Sequence, residues 1–342
     1  MSDQRKQYRL RDSEDAQRPA GGQRDISGKR IALANITGLI VGMILMGIAK
    51  AITSGSGPDN SVYGMSIFLT VPLAMGLVMA LVMGRGEVRR ATLFLSSLIL
   101  PLVGTACSMI FFREGTICVL IAFPLIWAMT LMGVGIGRLI VKYTRRDRTF
   151  AIAAPLMLAT IGIDAILPKT FVTSVTTVSQ PIRASPAELW PEIVSMGRIP
   201  EQPSYWLCKV GLPAPVEVVA EAPKVGAKRD CIFTGGLVFG EEITIAETNR
   251  HLKFKIVSQP RDPEILGHAD VLSGEMRLRP NADGTTTIRL RPNADGTTTI
   301  IGTSHYALHV MPAAYFDLWA KSIGHAVHER VFAHIKQRVE RP

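Results

Sequence analysis

The sequence holds no serine nucleophile elbow, no Cys–His pair for nucleophilic catalysis and no glycine-rich cofactor loop between a strand and a helix. Its densest glycine run, Gly133-Val134-Gly135-Ile136-Gly137, lies inside a long apolar stretch with no strand before it, which excludes a nucleotide loop. No row of charged residues interrupts the apolar stretches, which argues against a transporter or channel. Residues 1–30 contain no apolar run, and no cleavage site follows the first one, so that run is expected to stay as an uncleaved anchor. Cysteine is sparse. Cys107 and Cys118 fall in apolar stretches, which leaves Cys208 and Cys231 to pair or to act as small core residues.

What is abundant is apolar sequence, 47% of 342 residues with a mean hydropathy of +0.24, concentrated in the first half. The net charge of +10 is concentrated there too. From Thr170 onward 19 basic and 18 acidic residues nearly cancel, so the basicity belongs to a membrane half and not to a nucleic-acid surface. Residues 1–30 read as a disordered cytoplasmic tail. Five apolar stretches follow, at 31–52, 64–84, 91–112, 117–141 and 149–167, each long enough for a membrane-spanning helix. The fifth, with Pro155 and Asp164, is the shortest. Arginines and lysines gather at 85–90 and 138–148, whereas the 54–63 loop has none. The bias predicts a cytoplasmic N-terminus, and five crossings of a cell membrane put everything after residue 168 on the extracytoplasmic side. Gly38 with Gly42, and Gly133 with Gly137, predict close helix packing within the 31–168 bundle, and the same faces would serve a homo-oligomer.

From Phe171 the pattern changes to β-branched alternation. One strand is followed by a short helix with a capping box at Ser185 and Glu188, then by strand-like runs at 216–221, 228–234, 237–247, 251–258, 269–279 and 285–310. Residues 277–288 and 289–300 are the same twelve-residue sequence, RLRPNADGTTTI, a strand end, a turn and a strand start. A second full strand would reverse everything after it, so one copy is expected to loop out or to lengthen the hairpin. Asp283 and Asp295 are too few carboxylates for a calcium repeat. The chain closes on a long helix, 311–340. On a helical wheel its Phe316, Trp319, Ile323, Val327, Val331 and His334 share one side, and His325, His328 and Glu329 the other.

The α+β order of residues 172–340 is carried by Pro186–Trp190 after the first strand, Val225–Arg229 opening another, Glu242–Thr244 with Arg250–Phe254, and Gly302–Tyr306 leading into the last helix. With these pieces it resembles the START-like superfamily, also called SRPBCC or polyketide cyclase/dehydrase-like. The resemblance implies a helix-grip domain, a curved antiparallel sheet around the long C-terminal helix with a ligand cavity between them. Alternation within the strands then offers Arg229, Cys231, Phe233, Phe239, Glu241, Ile243, Ile245, Tyr306 and Leu308 as cavity residues, with Trp319, Ile323 and Val327 from the helix. Glu241 and His334 are the candidates for acid–base chemistry, Glu241 equally readable as a partner of Arg229. The histidines offer no three converging ligands, so no metal and no cofactor is expected. Three functions remain open: binding of a lipid or other small hydrophobic ligand beside the bilayer, a cyclase or dehydratase activity, and an assembly role with a closed cavity.

Overall fold

The computed structural model describes residues 27–53, 64–112, 115–143, 172–260, 269–280 and 297–340, with isolated positions between 158 and 164. The first half forms helices α1 (Gly28–Thr53), α2 (Met65–Phe68), α3 (Thr70–Met83), α4 (Arg90–Phe112) and α5 (Thr116–Tyr143). With α2 and α3 taken as one nearly continuous segment, four helices are long and apolar enough to cross a membrane. Most of the 149–167 stretch lies outside the described residues, as does the 1–26 tail, so the described helices do not support a count of five.

The bundle is built around α3. Gly38 and Gly42 of α1 sit against Met75, and Gly133 and Gly137 of α5 against Leu73, Leu77 and Ala80. Small residues let the backbones meet where no hydrophobic effect drives association in lipid. Both glycine pairs are therefore used inside one chain. The outer faces of α1 and α4 remain uncovered, with Ile36, Ile40 and Ile44 on one and Leu102 and Ile110 on the other. Uncovered aliphatic side chains in such rows suit contact with hydrocarbon.

One end of the bundle is basic. Arg138 donates to Gly84 O (2.9 Å) and Gly86 O (2.7 Å), and Arg85 Nε donates to Val141 O (3.2 Å). These guanidinium groups satisfy carbonyls at or just beyond helix C-termini, where positive charge is favoured.

The second half forms β1 (Val172–Ile182), α6 (Pro186–Val194), a 3₁₀ turn (Trp206–Val210), β2 (Pro215–Ala220), β3 (Lys228–Phe233), β4 (Val238–Glu247), β5 (His251–Ser258), β6 (Ala269–Pro280), β7 (Thr298–Leu308) and α7 (Ala313–Val339). The seven strands form one antiparallel sheet in the order β1-β7-β6-β5-β4-β3-β2. The expected capping box is present. Ser185 N donates to Glu188 Oε2 (2.6 Å), and Glu188 N to Ser185 Oγ (3.4 Å).

Helix α7 is buried on two faces. On a wheel of about 100° per residue with Ile323 at zero, Phe316, Trp319 and Ala320 fall at roughly −40 to 60°. These residues and Ile323 pack against the bundle and the 3₁₀ turn. Further along, His328, Val331, Phe332 and Ile335 lie at roughly 80 to 180° and are buried against the sheet and α6. The single apolar side expected from the sequence therefore holds only for the first half of the helix. The buried face rotates because the two halves are covered by different partners.

The repeat is resolved by register. Pro280 from the first copy pairs with Thr298 from the second, and Arg279 with Thr299. The hairpin thus uses the strand end of one copy and the strand start of the other, and residues 281–296 lie outside the described residues. Deleting residues 281–292 regenerates a single copy with the same flanking strands. Loop-closure cost grows slowly with length, so shortening the loop should leave the thermal midpoint unchanged or raise stability by about 1 kcal/mol. Thermal denaturation in detergent measures this; a clear drop would show that the extra copy is structural.

Candidate functional site

A cavity of about 370 Å³ lies among the sheet, α7 and the helical bundle. Its globular wall takes Arg229, Cys231 and Phe233 from β3, Phe239 and Glu241 from β4, Phe254 and Ile256 from β5, Ser304, Tyr306 and Leu308 from β7, and Trp319, Ile323, Val327 and His328 from α7. The wall is mostly apolar and carries a few polar groups, the composition typical of small-molecule sites. Gly302 of β7 and Gly324 of α7 permit the close approach that shapes it. A Cβ on Gly302 would meet the Phe332 ring at 2.6 Å, and one on Gly324 would meet Thr176 at 2.6 Å.

Arg229 and Glu241 face each other across the β3–β4 ladder and form a direct ion pair, 3% and 5% exposed. Arg229 Nε also donates to Val194 O (3.1 Å) and Nη2 to Ile193 O (3.4 Å), and the guanidinium stacks 4.5 Å above the Phe254 ring. One side chain thus joins the C-terminus of α6 to the sheet. Burial pushes the Glu241 carboxyl above the usual carboxylate range, and the Arg229 charge opposes that shift. Removing one partner of such a pair typically costs about 3–5 kcal/mol, because the other charge stays buried. The adjacent Cys231 thiol is pushed up to about 12 by burial and then by the Glu241 charge, so it is not a nucleophile near neutrality.

A second polar point is His328, 7% exposed, whose Nε2 lies 3.0 Å from Ser304 Oγ. Its Nδ1 is buried and has no hydrogen-bond partner among the described residues. The ring stacks on Phe332, with centroids 5.8 Å apart. Burial, with a smaller contribution from His325, pushes its pKa down to about 4, so the imidazole is neutral at physiological pH. Near the bundle, Tyr306 Oη donates to Asp317 Oδ1 (2.8 Å). Burial pushes the Asp317 carboxyl up, but hydrogen bonds from Lys321, Ser174 and Tyr306 outweigh it and hold the group below its ordinary value.

The structure departs from the sequence reading at four places. Ile243 is fully buried in the core behind the cavity. Ile245 does not line the cavity, because the register shift between Ile243 and Ile245 breaks the alternation that put it on the wall. His334 lies in a separate, more open cleft with Glu201 and Arg330, its Nδ1 3.6 Å from Glu201 Oε2. His328, assigned to the solvent side by the wheel, is a wall residue, whereas His325 stays outside in an ion pair with Glu329. Cys208 and Cys231 are both free and lie in separate clusters. Among the described residues, no group of three His, Cys, Asp or Glu is placed to hold a metal.

With the geometry in hand, the molecule can be set beside known proteins. Neither protein families nor curated proteins give a sequence match. Solved structures match the globular half. Norcoclaurine synthase from Thalictrum flavum aligns at 13% identity over 49% of this chain and 87% of its own, with a TM-score of 0.31. Protein MLL2253 from Mesorhizobium loti aligns at 17% identity over 48% and 95%, with a TM-score of 0.31, and Aha1 from Colwellia psychrerythraea at 12% over 49% and 96%, with a TM-score of 0.28. At that level the likeness bears on no activity. The sheet order and the gripped C-terminal helix themselves define the helix-grip class of fold.

His328 makes a testable contribution to stability. Its folded pKa is depressed from 6.5 to about 4, so the unfolded chain binds more protons between those values. The contribution is full above about pH 6.5 and is lost as pH falls through about 4. The thermal midpoint of the wild type should therefore fall more steeply over that window than that of His328→Gln. Parallel curves for the two proteins would contradict the assignment.

Proposed function

We propose that this protein is a membrane-anchored helix-grip protein that binds a lipid or another small hydrophobic molecule at the extracytoplasmic face. The observation that carries this reading is the cavity, largely apolar, within the size range of about 300–1,000 Å³ used by small-molecule sites, and pierced by few polar groups. The polar groups fit orientation better than catalysis. Glu241 is engaged by Arg229, and Arg229 by two carbonyls, so neither is free to exchange protons with a substrate without breaking the tie to α6. A cyclase- or dehydratase-type reading would instead rest on His328 and Ser304, the one hydrogen-bonded pair on the wall that includes a histidine.

The placement of the globular half supports an odd number of crossings. Phe68 at the end of α2 packs on Phe316, with ring centroids 4.9 Å apart, and Tyr315 Oη donates to Ile121 O near the start of α5 (2.7 Å). Both contacts lie at the end of the bundle opposite the basic one. Helix α5 finishes at the basic end, whereas the Asp164 carboxylate accepts a hydrogen bond from Ser66 N (2.7 Å) at the other. Tyr143 and Asp164 thus lie toward opposite ends, and the number of residues between them would suffice for a fifth crossing of about 30 Å, one hydrocarbon thickness. With the basic end cytoplasmic, the helix-grip half lies outside a cell membrane.

Native mass spectrometry of the detergent-extracted protein should find a co-purified lipid. Cys231→Trp, which fills the cavity at a cost of about 1–3 kcal/mol, should lose it. No hydrophobic adduct on the wild type in repeated preparations would sink the binding reading. Protease added to intact spheroplasts should digest the 172–340 domain; full protection would overturn the five-crossing topology.

A further inference from the structure

The cavity does not stop at the globular half. Met43 of α1, Met75 of α3, Thr105 of α4 and Ala122 of α5 border the same continuous void as Arg229 and His328. Met43 lies about 15 Å along α1 from its outer end at Thr53, so the void reaches roughly halfway through a hydrocarbon core of about 30 Å. At the basic end α1 and α4 are tied together, with Asn35 Nδ2 3.3 Å from Ser96 Oγ. The lining residues of α1 and α4, Gly42, Met43 and Met46 on one and Pro101 to Ser108 on the other, lie on the outer side of that tie. Ile40 and Ile44 on α1 and Leu102 on α4 leave apolar surface uncovered at the same depth.

The two arms differ in chemistry. In the bundle arm the Thr105 and Ser108 hydroxyls donate to carbonyls of their own helix, Leu102 O at 3.0 Å and Thr105 O at 2.8 Å, which leaves an apolar tube. The polar groups with spare capacity sit in the globular arm, where the charges cancel. Arg229 is paired with Glu241, and Glu192 of the wall with Arg338 (2.8 Å). No uncompensated cation is present among the described wall residues to hold a phosphate, whereas the Ser304–His328 pair can hydrogen-bond an uncharged hydroxyl or carbonyl.

Building on the binding reading above, we infer that the void is loaded from the bilayer with a neutral long-chain lipid, its hydroxyl or carbonyl head in the helix-grip cavity and its chain in the bundle arm. The bundle is then part of the binding site and not only an anchor. Full-length protein in phosphatidylcholine nanodiscs carrying a diazirine-labelled hexadecanol should give photoadducts on both Met75 and the Phe239–Glu241 segment. Thr105→Trp blocks the bundle arm and should abolish the adducts in the globular half. A water-soluble diazirine-labelled hexanol, added from solution to protein in detergent, should label that segment in wild type and Thr105→Trp alike, which also establishes that the variant's globular half is folded. Undiminished hexadecanol labelling of the cavity in Thr105→Trp would overturn bilayer loading and leave the cavity as a binding site. Labelling by hexanol alone would do the same. Cavity labelling by neither probe would remove the binding reading as well. Preferential labelling by a diazirine phosphatidic acid would overturn the neutral-head assignment.

Discussion

Everything in this molecule depends on α7 being covered on two different faces. A helix of this length exposes apolar side chains around more than one stripe, and each stripe must leave water for the fold to hold. The sheet and α6 cover the second half through Val331, Phe332 and Ile335, each worth about 1.5–3 kcal/mol when fully buried. The bundle and the 3₁₀ turn cover the first half through Phe316, Trp319 and Ile323. The helix thereby fixes the orientation of the globular half on the helical bundle. The cavity is the space left where the buried face rotates from one partner to the other.

The Arg229–Glu241 pair sets the closed end of that space. A buried ion pair is seldom a net source of stability, since desolvation offsets most of the attraction. Its effect here is geometric. The guanidinium satisfies the last carbonyls of α6, covers the Phe254 ring and matches the carboxylate opposite it in the ladder. A helix end, two strands and the cavity floor are thus held by one side chain. An apolar residue there would fill the volume but leave the carbonyls of Ile193 and Val194 without their donor.

Most of the architecture was legible from the sequence because it rests on periodicity and punctuation. Strand runs ended at Gly226, Gly235 and Asn249, and the structure places turns there, with positive φ at each. The capping box fixed the start of α6 to the residue. Ten of the cavity residues proposed by alternation and the helical wheel do line the void, from Arg229 to Val327. Ile243 failed because it is buried in the core behind the cavity, and Ile245 because a bulge interrupts strict alternation, and bulges leave no reliable mark in a single sequence. His328 failed because a helical wheel assumes one buried face. Gly302 was a usable signal for it, since a glycine inside a β-branched strand marks a place where something packs close, in this case the rings of His328 and Phe332. The bundle's share of the cavity was out of reach, because it depends on how two halves meet and not on a pattern within either.

The distribution of charge explains why the two halves can share one interior. Basic side chains gather at one end of the bundle, where they bind terminal carbonyls, and the opposite end joins the globular half through Phe68, Ile117, Ile121 and Phe316. A water-facing domain normally meets a bilayer through polar or cationic groups suited to headgroups. Here the junction is aromatic and aliphatic, and the side-chain hydrogen bond from Tyr315 to Ile121 O satisfies a backbone carbonyl. A dry junction of this kind keeps the void continuous, since a ring of charged residues would hold water and divide it into two separate pockets.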